Sequence, residues 1–349
     1  MGGSDRRFPL RLDLERGAVD MTHGSGGRAM AQLIEELFKR HLDNPLLRQG
    51  NDQALFLPPA GRLVMSTDGH VIAPLFFPGG DIGCLSVHGT INDVAMAGAR
   101  PLYLAAGFIL EEGFPLADLA RVVESMARAA NAAGVPVVTG DTKVVERGKA
   151  DGVFITTTGL GVVPDGVRIS GDMARPGDVI LVNGFMGDHG VAVMSKRENL
   201  GFETAIASDT AALHDLVAAM VDAVPDIHCL RDPTRGGLAT TLNEFAHQSG
   251  VGMQVREDAI PVRPEVAAAC ELLGLDPLYV ANEGKLVAIC SAEHAETLLA
   301  VMRAHPLGAE AAVIGEVVAD PHHFVQMETA FGGQRIVDWL AGEQLPRIC

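Results

Sequence analysis

The sequence predicts a two-domain α/β protein, and three observations carry that expectation. Apolar runs of strand length are interleaved with longer stretches whose apolar residues recur at helical spacing. At 349 residues and 48% hydrophobic composition, the chain is long enough to bury two cores. Between the halves lies a run rich in turn formers, Gly159 to Gly177, with Pro164, Gly166, Gly171 and Pro176; the domain junction is placed near Val163.

Charge and composition narrow the function. The formal net charge is −17 and the basic residues are scattered, which disfavours a nucleic-acid backbone as partner. The stretch through Gly17 carries Asp5, Arg6, Arg7, Arg11, Asp13, Glu15 and Arg16, unlike a signal or transit peptide. No apolar run reaches the roughly 18 residues of a membrane span, so the expected compartment is the cytosol.

In chain order, His23-Gly24-Ser25-Gly26-Gly27 precedes Met30, Leu33, Ile34, Leu37 and Phe38, the apolar face of a helix. Bare N–H groups at a helix start suit phosphate, and Gly24-x-Gly26-x-x-Ala29 loosely fits a dinucleotide pattern, although no clear strand precedes it. A flexible loop or an ordinary helix cap explains the same residues. Four strand-like or apolar stretches then carry an aspartate at or near an end: Asp52 in Asn51-Asp52-Gln53-Ala54, Asp68 in Ser66-Thr67-Asp68, Asp93 in Ile91-Asn92-Asp93-Val94, and Asp141 in Thr139-Gly140-Asp141-Thr142-Lys143. Buried strands are expected at Arg62 to Met65 and Val135 to Val138. Each aspartate alone reads as a turn or cap residue. Together, with Lys143 nearby, they suit Mg²⁺, which takes a few carboxylates and completes its octahedron with phosphate oxygens and water.

A helix is predicted from Leu116 to Ala133, stopped by Gly134, and a strand from Val153 to Thr158. The second half offers strand Val179 to Val182, then Asp188-His189-Gly190, which lines a site or caps a helix. Arg231-Asp232-Pro233-Thr234-Arg235-Gly236-Gly237 leads into a helix from Leu238 to His247; Asp232, Thr234 and Arg235 suit phosphate or metal contact, or cap that helix. Ala281-Asn282-Glu283-Gly284-Lys285 precedes strand Leu286 to Cys290. A lone glutamate in a turn is ordinarily solvated, so the residues by themselves do not single out Glu283.

Cys84, Cys229, Cys270 and Cys290 stand singly in apolar or small-residue contexts and are expected to fill core. His322-His323 reads as a solvated turn. Cys349, the last residue of Pro346-Arg347-Ile348-Cys349, has no such packing role, and a thiol with that reach serves as a carrier or nucleophile. An adjacent α-carboxylate raises its pKa and Arg347 opposes that. Trp339 and Leu340 are candidates to anchor a last helix.

Taken in order, these motifs and the terminal Pro346-Arg347-Ile348-Cys349 resemble the HypE family, the carbamoyl dehydratases of [NiFe]-hydrogenase maturation. That family sits in the aminoimidazole ribonucleotide (AIR) synthetase and selenophosphate synthetase superfamily. The resemblance spans roughly residues 20 to 349. It implies a two-domain PurM-like fold: an extension over 1–18, a mixed-sheet ATP-binding domain over 19–163 that pairs in a homodimer, an α/β domain over 164–335, and a flexible tail over 336–349 carrying the thiol. By the same resemblance, Gly24, Gly26, Gly27, Asp68, Asp93, Asp141, Thr234 and Arg235 would bind ATP. Asp52, Asp93, Asp141 and Asp232 would hold Mg²⁺, and Cys349, Lys143 and Glu283 would do the chemistry. The implied partners are the carbamoyltransferase HypF and, as cyanide acceptor, the HypC–HypD complex.

Three rivals remain at this stage. A selenophosphate synthetase expects a catalytic Cys or selenocysteine near the glycine-rich loop, where this chain has Ser25 and no Cys before Cys84. A non-enzymatic thiol or metal carrier has no use for five placed aspartates. A dinucleotide oxidoreductase rests on one loose glycine match.

Overall fold

The computed structural model describes residues 11–57, 59–199, 206–342 and 347–349. Pro346 and residues 1–10 therefore lie outside the described residues, as does most of the expected extension.

In the first half, helix α1 (Arg28–Leu33) runs through a π-helical turn (Ile34–Phe38) into α2 (Lys39–His41). Strand β1 (Arg62–His70) follows, then a short ribbon of β2 (Phe76–Phe77) and β3 (Gly80–Asp81), α3 (Ile82–Ala95), β4 (Arg100–Glu111), α4 (Leu116–Ala133), β5 (Val137–Val145) and β6 (Val153–Val163). Asp81 caps α3 by accepting from the N–H groups of Gly83 and Cys84, and Gly134 ends α4 in the left-handed region, as its sequence predicts. Strands β1, β6, β4 and β5 form a mixed sheet in that order; β4 and β5 are parallel and the other pairs antiparallel.

Helices α3 and α4 cover one face of this sheet. Gly159 and Gly161 of β6 let α3 lie close: a Cβ on Gly159 would fall 2.9 Å from methyls of Thr90 and Val94, and one on Gly161 2.5 Å from Val94. The other face is open, and it exposes Leu63, Met65 and Ile109, with Met65 72% accessible.

The second half comprises β7 (Asp178–Val182), α5 (Asp188–Arg197), α6 (His214–Ala223), β8 (Ile227–Arg231), α7 (Gly237–Ser249), β9 (Gly252–Arg256), α8 (Pro264–Leu273), β10 (Val287–Ser291), α9 (Ala292–Ala304), β11 (Ala312–Val318), β12 (Val325–Glu328) and β13 (Gln334–Ile336). Its seven-stranded sheet has the order β13-β12-β9-β11-β7-β10-β8. Alternation along β7 explains the layers: Leu181 faces α6 and α9, while Ile180 and Val182 face α7. The α6 layer also receives Val94, Ala95 and Met96 from the end of α3, so the two halves share a core.

The structure corrects several local expectations. Asp93 lies in helix α3, because Ile82 to Ala95 is buried nearly all round and its apolar run is indistinguishable from a strand by pattern alone. β1 and β5 run further than expected, which puts Asp68 and Asp141 within strands. No helix forms at Trp339, which instead stacks on His247 with ring centroids 5.5 Å apart. Arg347 to Cys349 are held, not free: Ile348 bridges antiparallel to Ile72 and is buried in the first domain's core. Cys229, Cys270 and Cys290 are buried, Cys84 half-buried, and all are free thiols.

Because α3 rests on Gly159 with no spare room, Gly159→Val should lower unfolding stability by about 1–3 kcal/mol, read from the urea midpoint at unchanged m-value.

Candidate active site

Two groups of the predicted residues come together, and they lie apart from each other. The first gathers where the carboxyl-proximal half of β1, helix α3, the loop after β8 and the loop before β10 meet the chain's last residues. Asp68 Oδ2 and Glu283 Oε2 approach one point: a Cβ on Gly89 of α3 would sit 3.4 Å from the former and 3.8 Å from the latter. Glycine at 89 therefore keeps a helix side chain out of this space. Asp93 accepts a 2.7 Å hydrogen bond from Ser66. Ser66, Asp93, Arg231 and Asp232 line one cavity of about 380 Å³.

Electrostatics mark this group as a crowd of carboxylates. Burial pushes Asp232 up to about 7, with Asp93 and Asp68 adding like-charge repulsion. Burial also raises Asp93, and the Ser66 hydrogen bond opposes that. Glu283 is raised well above the usual carboxyl range, first by burial and then by Asp232, Asp209, Asp68 and Asp93. Its Oε1 is buried without a hydrogen-bond partner. Burial lowers His70, which contacts Thr157 Oγ1 at 3.1 Å and is held neutral beside Asp68.

The loop carrying Glu283 is pinned from several sides. Asn92 of α3 donates to the carbonyls of Ala211 and Glu283 and accepts from the Leu213 N–H. Asn282 donates to the Pro233 carbonyl and accepts from the Gly187 N–H, which ties the Asp232 loop to the Glu283 loop. Asp209, kept ionised by Lys285 at 2.9 Å, accepts from the Glu283 N–H. The sequence motifs contain Asn92 and Asn282 but assign them no task. Their signal is nevertheless present in the chain: an Asn stands directly before Asp93 and directly before Glu283.

The chain's last residues enter this site as a strand. The N–H groups of Val71 and Ala73, just beyond β1, donate to an α-carboxylate oxygen of Cys349 and to the carbonyl of Arg347. Arg347 pairs with Asp151 at 2.8 Å. Cys349 is thereby set beside Glu283, Asp68, Asp232 and Arg235. Burial and the neighbouring carboxyls, Glu283 foremost, push its thiol far up, with Arg235 opposing. The pocket thus favours an uncharged sulfur.

The second group lies at the far edge of the first sheet. Lys143 donates to Asp141 at 2.6 Å, which holds Asp141 low, and both are mostly exposed. Thr139 donates to the Asp52 carbonyl. Asp52 and Asp141 share a cavity of about 230 Å³ with Phe38, Lys39 and Thr142. Gly24 packs against the backbone of Val144 in β5, so the glycine-rich loop borders this group, and Gly26 and Gly27 face open space. At 4.8 Å per strand, Asp68 on β1 and Asp141 on β5 are roughly 14 Å apart. Within one protomer, Lys143, Asp141 and Asp52 do not reach Cys349 and Glu283. Thr234 and Arg235 belong to the first group: the Thr234 N–H closes a turn on the Asp232 carbonyl, and Arg235 is exposed beside it.

Magnesium suits the donor set by its chemistry. Asp68, Asp93 and Asp232 offer hard carboxylate oxygens, and the repulsion that Asp93 and Asp68 exert on Asp232 is what a dication would relieve. Among the described residues, no three His, Cys, Asp or Glu side chains form a ready cage.

The chain matches the family models of the AIR synthase related protein N-terminal domain over residues 50–163 and C-terminal domain over 175–328. It is 76% identical over 339 residues to the carbamoyl dehydratase HypE of Azotobacter vinelandii, covering 97% of this chain and 99% of the relative. The chain belongs to the HypE family. The HypE of Escherichia coli K12 is 48% identical over 336 residues, covering 95% of this chain and 99% of that protein. A crystal structure of a HypE in complex with ATP superposes with a TM-score of 0.91 at 55% identity, covering 94% of this chain and 99% of that one. A HypE–HypF complex matches with a TM-score of 0.78 at 48% identity, covering 88% of this chain and 99% of that one. A thiamine-monophosphate kinase from Stenotrophomonas maltophilia shares the fold at 22% identity and a TM-score of 0.63. The two-domain α/β architecture is thus the PurM-like fold that the HypE family shares, and among the described residues no helix is long and apolar enough to cross a membrane.

Because the folded state holds Asp232 near 7 and the unfolded chain near 3.8, the native protein binds more protons between those values, and stability falls as pH rises through that window. Asp232→Asn should remove part of that fall. In buffer free of divalent cations its melting temperature at pH 8 should exceed that of the unsubstituted protein by about 2–4 °C, with the gap closing at pH 4.

Proposed function

We propose that this chain dehydrates a carbamoyl group carried on the Cys349 thiol to a thiocyanate, using ATP, and so supplies cyanide ligands for the iron of [NiFe]-hydrogenase. The observation that supports this most directly is the docking of Arg347–Cys349 along Val71–Ala73, which buries Ile348 and brings Cys349 under the influence of Glu283 in surroundings that favour neutral sulfur. An S-carbamoyl group is uncharged and fits that preference better than a thiolate does.

The chemistry proceeds in two steps. The carbamoyl oxygen attacks the γ-phosphorus of ATP, the bond to the β–γ bridging oxygen breaks, and ADP leaves. The nitrogen gives up a proton, leaving an S-bound phosphorylated imidate. The C–O bond then breaks with loss of the second N–H proton, releasing phosphate and leaving S–C≡N. Phosphorylation is required because an amide oxygen is a poor leaving group. Glu283, with its raised pKa and an unpartnered oxygen, is a stronger base than an exposed carboxylate and stands beside the sulfur that carries the group. Lys143 and Arg235 supply positive charge toward the transferred phosphoryl oxygens, and Lys143 is the alternative base. Gly24, Gly26, Gly27 and Thr234 offer N–H and hydroxyl donors to phosphate. Asp68, Asp93 and Asp232 on one side, and Asp52 and Asp141 on the other, are the residues that would hold Mg²⁺, which supplies charge neutralisation to the phosphates when bound.

The separation of the two groups supports a homodimer formed through the open sheet face. If that pairing sets one protomer's β1 edge against its partner's β5 edge, the Lys143 group of one meets the Cys349 group of the other. The exposed Leu63, Met65 and Ile109 give that face its apolar surface. A related HypE crystallises in complex with HypF, which makes HypF a partner of that protein. By extension, HypF loads the thiol here and a HypC–HypD complex receives the cyanide, all in the cytoplasm.

Intact-mass analysis with HypF, carbamoyl phosphate and ATP tests the reading: Cys349 should gain a carbamoyl adduct that becomes lighter by one water only with Mg-ATP. Cys349→Ala should abolish both species while leaving nucleotide binding intact. Glu283→Gln should retain the adduct and slow its conversion by about 10²-fold. Asp141→Asn should weaken Mg-ATP binding by about tenfold or more, by titration calorimetry; unchanged affinity would remove Asp141 from the site.

A further inference from the structure

Helix α5 touches the chain's last residues at both of its ends, and neither contact belongs to the carboxylate groups described above. At its start, His189 is fully buried; its Nε2 lies 2.7 Å from the Ile348 carbonyl oxygen and its Nδ1 2.7 Å from Ser208 Oγ. At its end, Arg197 donates from Nε to the Ala73 carbonyl at 2.8 Å and from NH2 to the Arg347 carbonyl at 2.7 Å. One helix therefore grips two consecutive tail carbonyls.

The His189 geometry fixes the tautomer. A carbonyl only accepts, so Nε2 carries the proton and donates to Ile348. Nδ1 is then the acceptor, and Ser208 donates to it while accepting from the Thr210 N–H at 3.1 Å. The Ser208 N–H is itself bound to the Pro78 carbonyl. The ring of Phe77 meets the imidazole edge-on, with centroids 5.5 Å apart. Each atom of the ring that can hydrogen-bond is thus committed, and the imidazole has one orientation, aimed at the backbone of the tail.

We propose that His189 and Arg197 are positioning residues for dehydration: they clamp the Ile348 and Arg347 carbonyls so that Cys349 stays docked in the site of the first group. The strand bonds from Val71 and Ala73 alone leave the tail with a partner on one side. The α5 bonds supply the other side, and they must break together with the strand bonds before a loading or accepting protein reaches the thiol. The inference rests on the functional reading above for its kinetic half, and on the structure alone for its accessibility half.

The test uses the full-length protein. Cys349 alkylation by iodoacetamide, quantified on the tail peptide so that Cys84 is scored separately, should be about tenfold faster in His189→Ala, as the loss of one such hydrogen bond implies. Conversion of preformed S-carbamoyl Cys349 should slow by about tenfold at unchanged nucleotide affinity. His189→Gln, whose amide nitrogen reaches toward the same carbonyl as Nε2, should restore both toward the starting protein. Arg197→Gln should reproduce the accessibility gain should His189→Ala fail to fold. Alkylation unchanged in both His189→Ala and Arg197→Gln would overturn the clamp, as would an equal rise in His189→Ala and His189→Gln, since the hydrogen bond would then not be the cause. If the unsubstituted protein makes no thiocyanate, the functional reading falls, while the alkylation arm still decides whether α5 holds the tail.

Discussion

The hydrogen bonds from the Asn92 side chain to the carbonyls of Ala211 and Glu283 are the constraint on which the site rests. They fasten a loop of the second half to a helix of the first, and the bond to Glu283 is fully buried. An unpaired carbonyl there would carry its full desolvation cost, so the amide fixes the domains' relative placement as well as one residue. Asn282 extends the same logic to the Asp232 loop. The carboxyls can be crowded because their backbone is not free to move apart.

The architecture divides labour between scaffold and chemistry. The first sheet supplies Asp68 from a strand edge and Asp93 from the helix lying on it, while loops of the second half contribute Asp232 and Glu283. Short loops on rigid elements hold like charges closer than a flexible segment would allow. Asp93, Asp232 and Glu283 are all raised, by burial first and then by neighbouring carboxylate charge, so a cation placed among them would relieve their repulsion. Lys143 sits too far away in the same protomer to be that cation.

Much of the fold was legible because its periodicities are local. The helix over Leu116–Ala133 and the strands around Val153 and Val179 appear where alternation and glycine stops place them. The stretch holding Asp93 reads only as strand-like or apolar, because a helix buried on nearly every side loses the contrast that reveals its period. The site was legible only in part. Acidic residues beside Gly and Asn announced themselves, whereas Glu283 looked like a solvated turn residue, since its burial arises from α3 and the chain's last residues, which meet it only in the fold. The separation of Asp52, Asp141 and Lys143 from Asp93 and Asp232 follows from strand order, which local sequence does not encode.

The neutral pocket around Cys349 also sorts oxidation states. A thiol exposed to peroxide passes through sulfenic to sulfinic acid, and a sulfinate is anionic at neutral pH. Placed among Glu283, Asp68 and Asp232, that charge would be disfavoured for the reasons that raise the thiol, burial first and the neighbouring carboxyls second. Surroundings that favour an uncharged sulfur thus suit a thiol or a neutral thiocarbamate better than a sulfinate.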